Sequence, residues 1–207
     1  MADYWYNCLR LIEPYYNASN QQWITSRYAG ICPRYGDVNS ARQFSVFSAP
    51  QDLAMRNNKI YLTDDKNFKL KQIDMVTDLV STIYKHDQRL GNLVLGADDG
   101  EFYVTVNYGL LHIKDQQASW FVGSTNKSDR TAEGSFSEVG FKSFFDVQWL
   151  NSRTLLVVEL GASLVKVLDL DSRQITNICT GSLYSKYYVV TISVTAPNQV
   201  FQRPLSF

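Results

Sequence analysis

Two stretches decide the fold: Ile60-Tyr61-Leu62-Thr63-Asp64-Asp65-Lys66-Asn67-Phe68-Lys69-Leu70-Lys71-Gln72-Ile73-Asp74, and Leu155-Leu156-Val157-Val158-Glu159-Leu160-Gly161-Ala162-Ser163-Leu164-Val165-Lys166-Val167-Leu168-Asp169. They lie on one another without a gap, and each reads as a strand, an acidic turn, a second strand and a closing Asp. The match extends outward on both sides. Phe47-Ser48-Ala49-Pro50-Gln51-Asp52-Leu53 matches Phe141-Lys142-Ser143-Phe144-Phe145-Asp146-Val147, and Val80-Ser81-Thr82-Ile83 matches Ile175-Thr176-Asn177-Ile178. The copies stand about 95 residues apart, which implies an intervening unit and a period of about 47.

The intervening unit contains four short apolar runs: Asn92-Leu93-Val94-Leu95-Gly96, Glu101-Phe102-Tyr103-Val104-Thr105-Val106, Leu110-Leu111-His112-Ile113-Lys114 and Ala118-Ser119-Trp120-Phe121-Val122-Gly123. The turn residues Asp98-Asp99-Gly100 and Asn107-Tyr108-Gly109 separate them. Four short strands per unit is the make-up of a propeller blade. Two strands remain at each chain end: 4–12 and 22–28 at the start, 187–193 and 199–203 at the finish. Neither pair can bury its faces alone, but together they make one blade. The sequence therefore predicts a single all-β domain over 1–207, a β-propeller of about four blades of four antiparallel strands, closed by N- and C-terminal strands sharing one blade. The blades fall at roughly 184–207 plus 3–30, 37–84, 90–123 and 141–181. Met75, Val76, Leu79, Val80 and Ile83 also fall at helical spacing, so 74–84 has a helical alternative; the copy at 169–178, with β-branched Ile175, Thr176 and Ile178, favours a strand.

Composition agrees with this reading. The 207 residues are 45% hydrophobic, 14% aromatic and 19% charged, enough apolar content for a full core and too much for disorder. With 20 Lys+Arg against 20 Asp+Glu the formal charge is zero, which disfavours a polyanion partner. No run of apolar residues is long enough to span a bilayer. The first residues lack the basic and apolar regions of a secretory signal. Cys8, Cys32 and Cys179 match no zinc spacing and are expected as idle or buried thiols, with one disulfide and one free thiol as the alternative. The sequons at Asn17 and Asn126 would accept N-glycans on a secretory route, a slight indication of an extracellular location.

The segments Gly36-Asp37-Val38-Asn39-Ser40-Ala41-Arg42, Phe47 to Ala54 and Ile60 to Asp74 resemble the NHL repeat of β-propellers, whose pattern runs G-D-G…A-R-F…P…G-[IV]-A…L-Y-V-A-D…N-x-[IL]-R-x-[IL]-D. The run from Ala132 to Phe141 leading to Leu155 through Asp169 looks similar. Leu9-Arg10-Leu11-Ile12-Glu13 with Trp23 to Gly30 is like the back half of the same repeat, which typically closes T-x-x-x-A-G. The sequence departs from the pattern where Asp52 and Asp146 replace the usual Gly, and the 90–123 unit lacks the N-x-[IL]-R segment. The resemblance implies a propeller that serves as an enzyme, an RNA binder or a recognition module.

Site residues must choose among these. Metal-centred hydrolase or lyase propellers hold an axial metal with several His or acidic ligands, whereas His86 and His112 have no ligand spacing. His112 reads as an ordinary strand residue and His86 as part of a polar connector. No nucleophile elbow and no phosphate loop occurs. Asp52 and Asp146 occupy equivalent positions and would face each other across a four-blade axis, so an axial Ca²⁺ would use them; otherwise each caps its own turn. Lys66, Lys69 and Lys71 with Phe68 form the best basic patch, and Lys69-Leu70-Lys71 is expected to present both lysines to solvent. The expectation is a non-enzymatic recognition module that binds a protein or glycan, with no cofactor and no nucleic acid, through the loops 31–36, 85–89 and 123–140. Arg34, Tyr35, His86, Asn107 and Tyr108 are the candidate contacts.

Overall fold

Strand runs punctuated by tight turns fold here as all-β sheets. The computed structural model describes residues 1–17, 20–123, 133–159, 162, 164–180, 189–196 and 199–204, and among them there is no α-helix. The chain divides into two units, Met1–Leu90 and Gly91–Phe207.

In the first unit, β1 (Ala2–Asp3), β2 (Cys8–Asn17) and β3 (Asn20–Ala29) form a three-stranded antiparallel sheet in chain order. Strands β4 (Pro50–Arg56), β5 (Lys59–Asp64), β6 (Lys69–Asp74) and β7 (Val80–Lys85) form a four-stranded meander. The β4–β5 turn has Asn57 and Asn58 at φ 50 and 58, the left-handed pair a tight hairpin demands. Leu9, Phe47, Leu62 and Ile73 are fully buried or nearly so in one core cluster. Gly30 follows β3 at φ 85, where a Cβ would come within 2.9 Å of the Phe47 ring, so this core closes only over glycine.

In the second unit, β8 (Leu93–Leu95), β9 (Glu101–Val106), β10 (Gly109–Lys114) and β11 (Gln117–Gly123) form another four-stranded meander. A five-stranded sheet follows, in which β13 (Phe144–Asn151), β14 (Thr154–Glu159), β15 (Leu164–Asp169) and β16 (Gln174–Thr180) run as a meander and β12 (Gly134–Ser135) pairs the outer edge of β16. Strands β17 (Val189–Ala196) and β18 (Gln199–Pro204) pair with each other. Phe141, Val147, Leu155, Val157, Leu168 and Ile175 share the main core of this unit. Strands β4–β7, β8–β11 and β13–β16 thus make three four-stranded meanders. Among the described residues the ladders of the two chain ends stay within β1–β3 and within β17–β18.

The helical alternative over 74–84 gives way to a turn and a strand. Asp74 Oδ1 accepts the N–H groups of Val76 (2.9 Å) and Thr77 (3.0 Å), and the chain re-enters the sheet at Val80. Asp169 repeats this with Asp171 (2.9 Å) and Ser172 (3.0 Å). These N–H donors hold both carboxyls below the usual Asp range.

The repeat also recurs as a buried ion pair. Lys71 Nζ lies 3.1 Å from Asp64 Oδ2 and 2.8 Å from Asp37 Oδ1, and 5.4 Å above the Phe47 ring. Lys166 Nζ lies 3.1 Å from Glu159 Oε2 and 5.0 Å above Phe141. In both sheets the carboxylate also accepts a backbone N–H from the residue after that Phe: Ser48 to Asp64 Oδ1 and Lys142 to Glu159 Oε1, each at 2.6 Å. A half-buried third copy joins Asp3 Oδ2 to Arg10 Nε at 2.9 Å. Carboxylate and cation are spaced alike in all three, 3 to 10, 64 to 71 and 159 to 166. The ladder register agrees, since Asp3 pairs Cys8, Asp64 pairs Lys69 and Glu159 pairs Leu164. In the β8–β11 sheet the corresponding places hold Val106 and Leu111, both buried.

Two expectations are corrected. Lys71 does not face solvent with Lys69: its side chain has 0% exposure, while Lys69 pairs with Asp37 at 19% exposure. The alternation was sound, but Asp37 and Asp64 draw that face inward. Nor are Cys8 and Cys32 idle thiols; they form a disulfide with Cα atoms 5.5 Å apart, because loop 31–36 folds back onto the start of β2.

Two stability predictions follow from these contacts. Lys166→Met, which leaves Glu159 buried without its cation, is expected to cost about 3–5 kcal/mol in urea unfolding, and the double variant Lys166→Met/Glu159→Leu to be the more stable of the two. Replacing Cys8 and Cys32 by Ser opens a loop closed across 24 positions; a loss of about 3 kcal/mol is expected by the same measurement.

Candidate functional site

A cleft of about 490 Å³ in the second unit brings together aromatic faces and a few polar groups. Its walls come from the end of β11, the turn that follows β12, and the β15–β16 turn. Trp120 and Phe121 arrive on β11, whose last residue, Gly123, sits at φ 85. A Cβ there would lie 2.3 Å from the Tyr108 carbonyl, so glycine lets this strand end press against the β9–β10 turn. Phe136 is set by its N–H, which donates to the Arg173 carbonyl at 3.1 Å. Val139 and Glu138 close the turn by donating to Ser135 O at 3.1 and 3.0 Å, and the Ser135 hydroxyl donates to Glu138 Oε2 at 2.7 Å.

Arg173 reaches the cleft because the Asp169 turn leaves it at φ 52, with its guanidinium 5.1 Å above the Phe136 ring. Phe121 meets Phe136 edge to face at 5.3 Å and Tyr103 at 4.9 Å. Behind them Tyr103 stacks on His112 at 4.9 Å, and His112 Nε2 lies 2.7 Å from Glu101 Oε1. Burial pushes the Glu101 carboxyl up, but the Asp98 N–H and the His112 ring outweigh it and hold the group below the usual Glu range. The cleft therefore offers stacking surfaces, a guanidinium, a carboxylate and the Ser137 hydroxyl, a set suited to gripping a small polar ligand. Among the described residues no group of three or more His, Cys, Asp or Glu could hold a metal.

The sequence candidates are dispersed. Arg34 and Tyr35 lie exposed in loop 31–36 of the first unit, which the Cys8–Cys32 disulfide ties down. His86 follows β7, with Nδ1 at 3.0 Å from the Tyr84 hydroxyl and Nε2 at 3.2 Å from Asp87 Oδ1. Asn107 and Tyr108 form the β9–β10 turn of the second unit. Asp52 and Asp146 belong to different units and are locally alike: the Oδ1 of each accepts the N–H of the next residue at 2.8 Å. Buried Asp146 also accepts from Asn92 Nδ2 at 2.8 Å. Asn126 lies outside the described residues, and of Asn17 only the backbone, in β2, is described.

Sequence reasoning named the segment 123–140 but not Trp120, Phe136 or Arg173. The available signal was the aromatic pair ahead of Gly123. Nothing in the sequence marked Arg173, whose place depends on a left-handed turn.

No family model matches the sequence, and no curated protein matches it. Solved structures do. A protein of unknown function from Bacteroides thetaiotaomicron aligns over 82% of this chain and 45% of its own, with 15% identity and a TM-score of 0.64. An auxiliary nutrient binding protein from Bacteroides ovatus aligns over 72% of this chain and 44% of its own, with 11% identity and a TM-score of 0.59. Another from Bacteroides thetaiotaomicron covers 65% and 36%, with 8% identity and a TM-score of 0.53. At these identities the likeness is one of all-β fold. The chain spans less than half the length of each.

Burial lowers the His86 pKa below its ordinary value, with Asp87 partly opposing. The unfolded chain then takes up the His86 proton more readily than the folded one, so stability should fall as pH drops from about 6.5 through the folded pKa. Ring-proton NMR titration should place the His86 midpoint below that of a free histidine, and His86→Gln should flatten the fall.

Proposed function

We propose that this chain is a non-enzymatic recognition module of the NHL-like propeller type, its ends sharing one of about four blades, and that it holds a glycan in the β11–β12 cleft. The cleft itself carries the reading. Its volume of about 490 Å³ matches a site for a small ligand. Trp120 and Phe121 supply apolar faces for the C–H side of a sugar ring, and Arg173, held over the buried Phe136 ring, supplies hydrogen bonds to hydroxyls together with Glu138 and Ser137. The fold likeness to proteins called nutrient binding proteins supports a binding role in general. Zero net charge weighs against nucleic acid.

The test is a glycan array followed by calorimetric titration of the sugars it retains. Trp120→Ala and Arg173→Ala are each expected to weaken binding at least tenfold, about 1.4 kcal/mol, without changing the melting temperature. Binding that survives both substitutions, or chemical conversion of the sugar, would overturn the reading.

A further inference from the structure

We propose that the first unit carries a docking surface of its own, for an acidic patch on a protein partner. Two exposed loops are locked together there. The Cys8–Cys32 disulfide ties the turn 3–8 to loop 31–36. Asn7 reinforces it, with Nδ2 donating to Pro33 O at 3.1 Å and Oδ1 accepting from Ala49 N at 2.8 Å. On this frame Trp5 is 82% exposed, Tyr35 78% and Tyr6 53%. Large aromatics held in water on fixed loops lose little freedom when they are covered, and Trp, Tyr and Arg are the side chains that dominate protein contacts.

Charge selects the partner. Three acidic groups of this region are already answered: Asp3 by Arg10, Asp37 by Lys69 and Lys71, and Asp65 by Arg89 at 3.7 Å and the Tyr4 hydroxyl. Arg27, Arg34 and Lys66 have no ion pair among the described residues. Arg27 stands directly opposite Arg10 on the neighbouring strand, and Lys66 lies 5.8 Å from the Tyr4 ring and acts through its charge on the neighbouring Asp65. The surface therefore presents aromatic rings beside uncompensated positive charge, which a carboxylate-bearing protein surface complements. A sugar is a poorer fit, because the Asp3 carboxylate and Asn7 amide that could bind hydroxyls are already engaged.

A soluble copolymer of glutamate and tyrosine serves as the probe, read by fluorescence anisotropy on the whole chain. The proposal expects saturable binding that Trp5→Ala and Arg34→Glu each weaken at least tenfold, that Trp120→Ala leaves unchanged, and that heparin does not match. Trp5 and Arg34 are exposed, so their variants should melt with the parent. Three results overturn the proposal. The copolymer fails to bind; heparin competes equally while Trp5→Ala has no effect, which means charge alone; or sedimentation shows self-association that Arg34→Glu abolishes, which makes a second copy the occupant. Because the cleft variant is a control here, loss of the glycan reading and loss of this one are separable.

Discussion

A lysine ammonium stripped of water needs carboxylates around it, and the sheets that hold Lys71 and Lys166 are built on that requirement. Desolvating such a charge costs several kcal/mol, so the arrangement persists only if the partner is close and the remaining lone pairs are filled. In both sheets the carboxylate meets the cation with one oxygen and a backbone N–H with the other. That N–H belongs to the residue after a buried Phe, whose ring lies under the ammonium. One cluster thereby pins three pieces of chain: the end of one inner strand, the start of the next, and the segment that leads into the sheet. The β8–β11 sheet has Val106 and Leu111 instead, and an apolar pair serves because it has no charge to satisfy.

Once the inner strands are fixed, the turns have little freedom, and the exposed chemistry follows from that. The Asp169 turn delivers Arg173 over Phe136. In the half-buried Asp3–Arg10 copy the guanidinium lies 5.5 Å over the ring of exposed Tyr6, and the disulfide adds loop 31–36 to the same frame. Regular strands carry the order, and irregular connections carry the exposed side chains.

Much of the strand plan was legible because it rests on local alternation and turn residues. Ile60 to Asp74 and Leu155 to Asp169 announced the same hairpin, and Asn107-Tyr108-Gly109 announced another. The acidic turn residues were visible too, but not their purpose. Lys71 reads as a solvated lysine beside Lys69, because no rule of alternation says which face of a strand another segment will cover. The acid that covers it, Asp37, lies on a distant loop. Cys8 and Cys32 were equally opaque, since pairing depends on where loop 31–36 folds back. The cleft was half legible: its segment stood out by composition, while its Arg arrives through a backbone conformation that the residue type does not advertise.

Side-chain nitrogen NMR on uniformly labelled protein reads whether Lys71 and Lys166 are buried as charged members of matching ion pairs. At neutral pH the ammonium protons of Lys71 and Lys166 should exchange slowly with water and correlate with the Phe47 and Phe141 rings, while the exposed lysines exchange too fast to be seen. If all the lysines exchange alike, or if these two are found neutral, the pairs do not exist as described and the repeat must be held by something else.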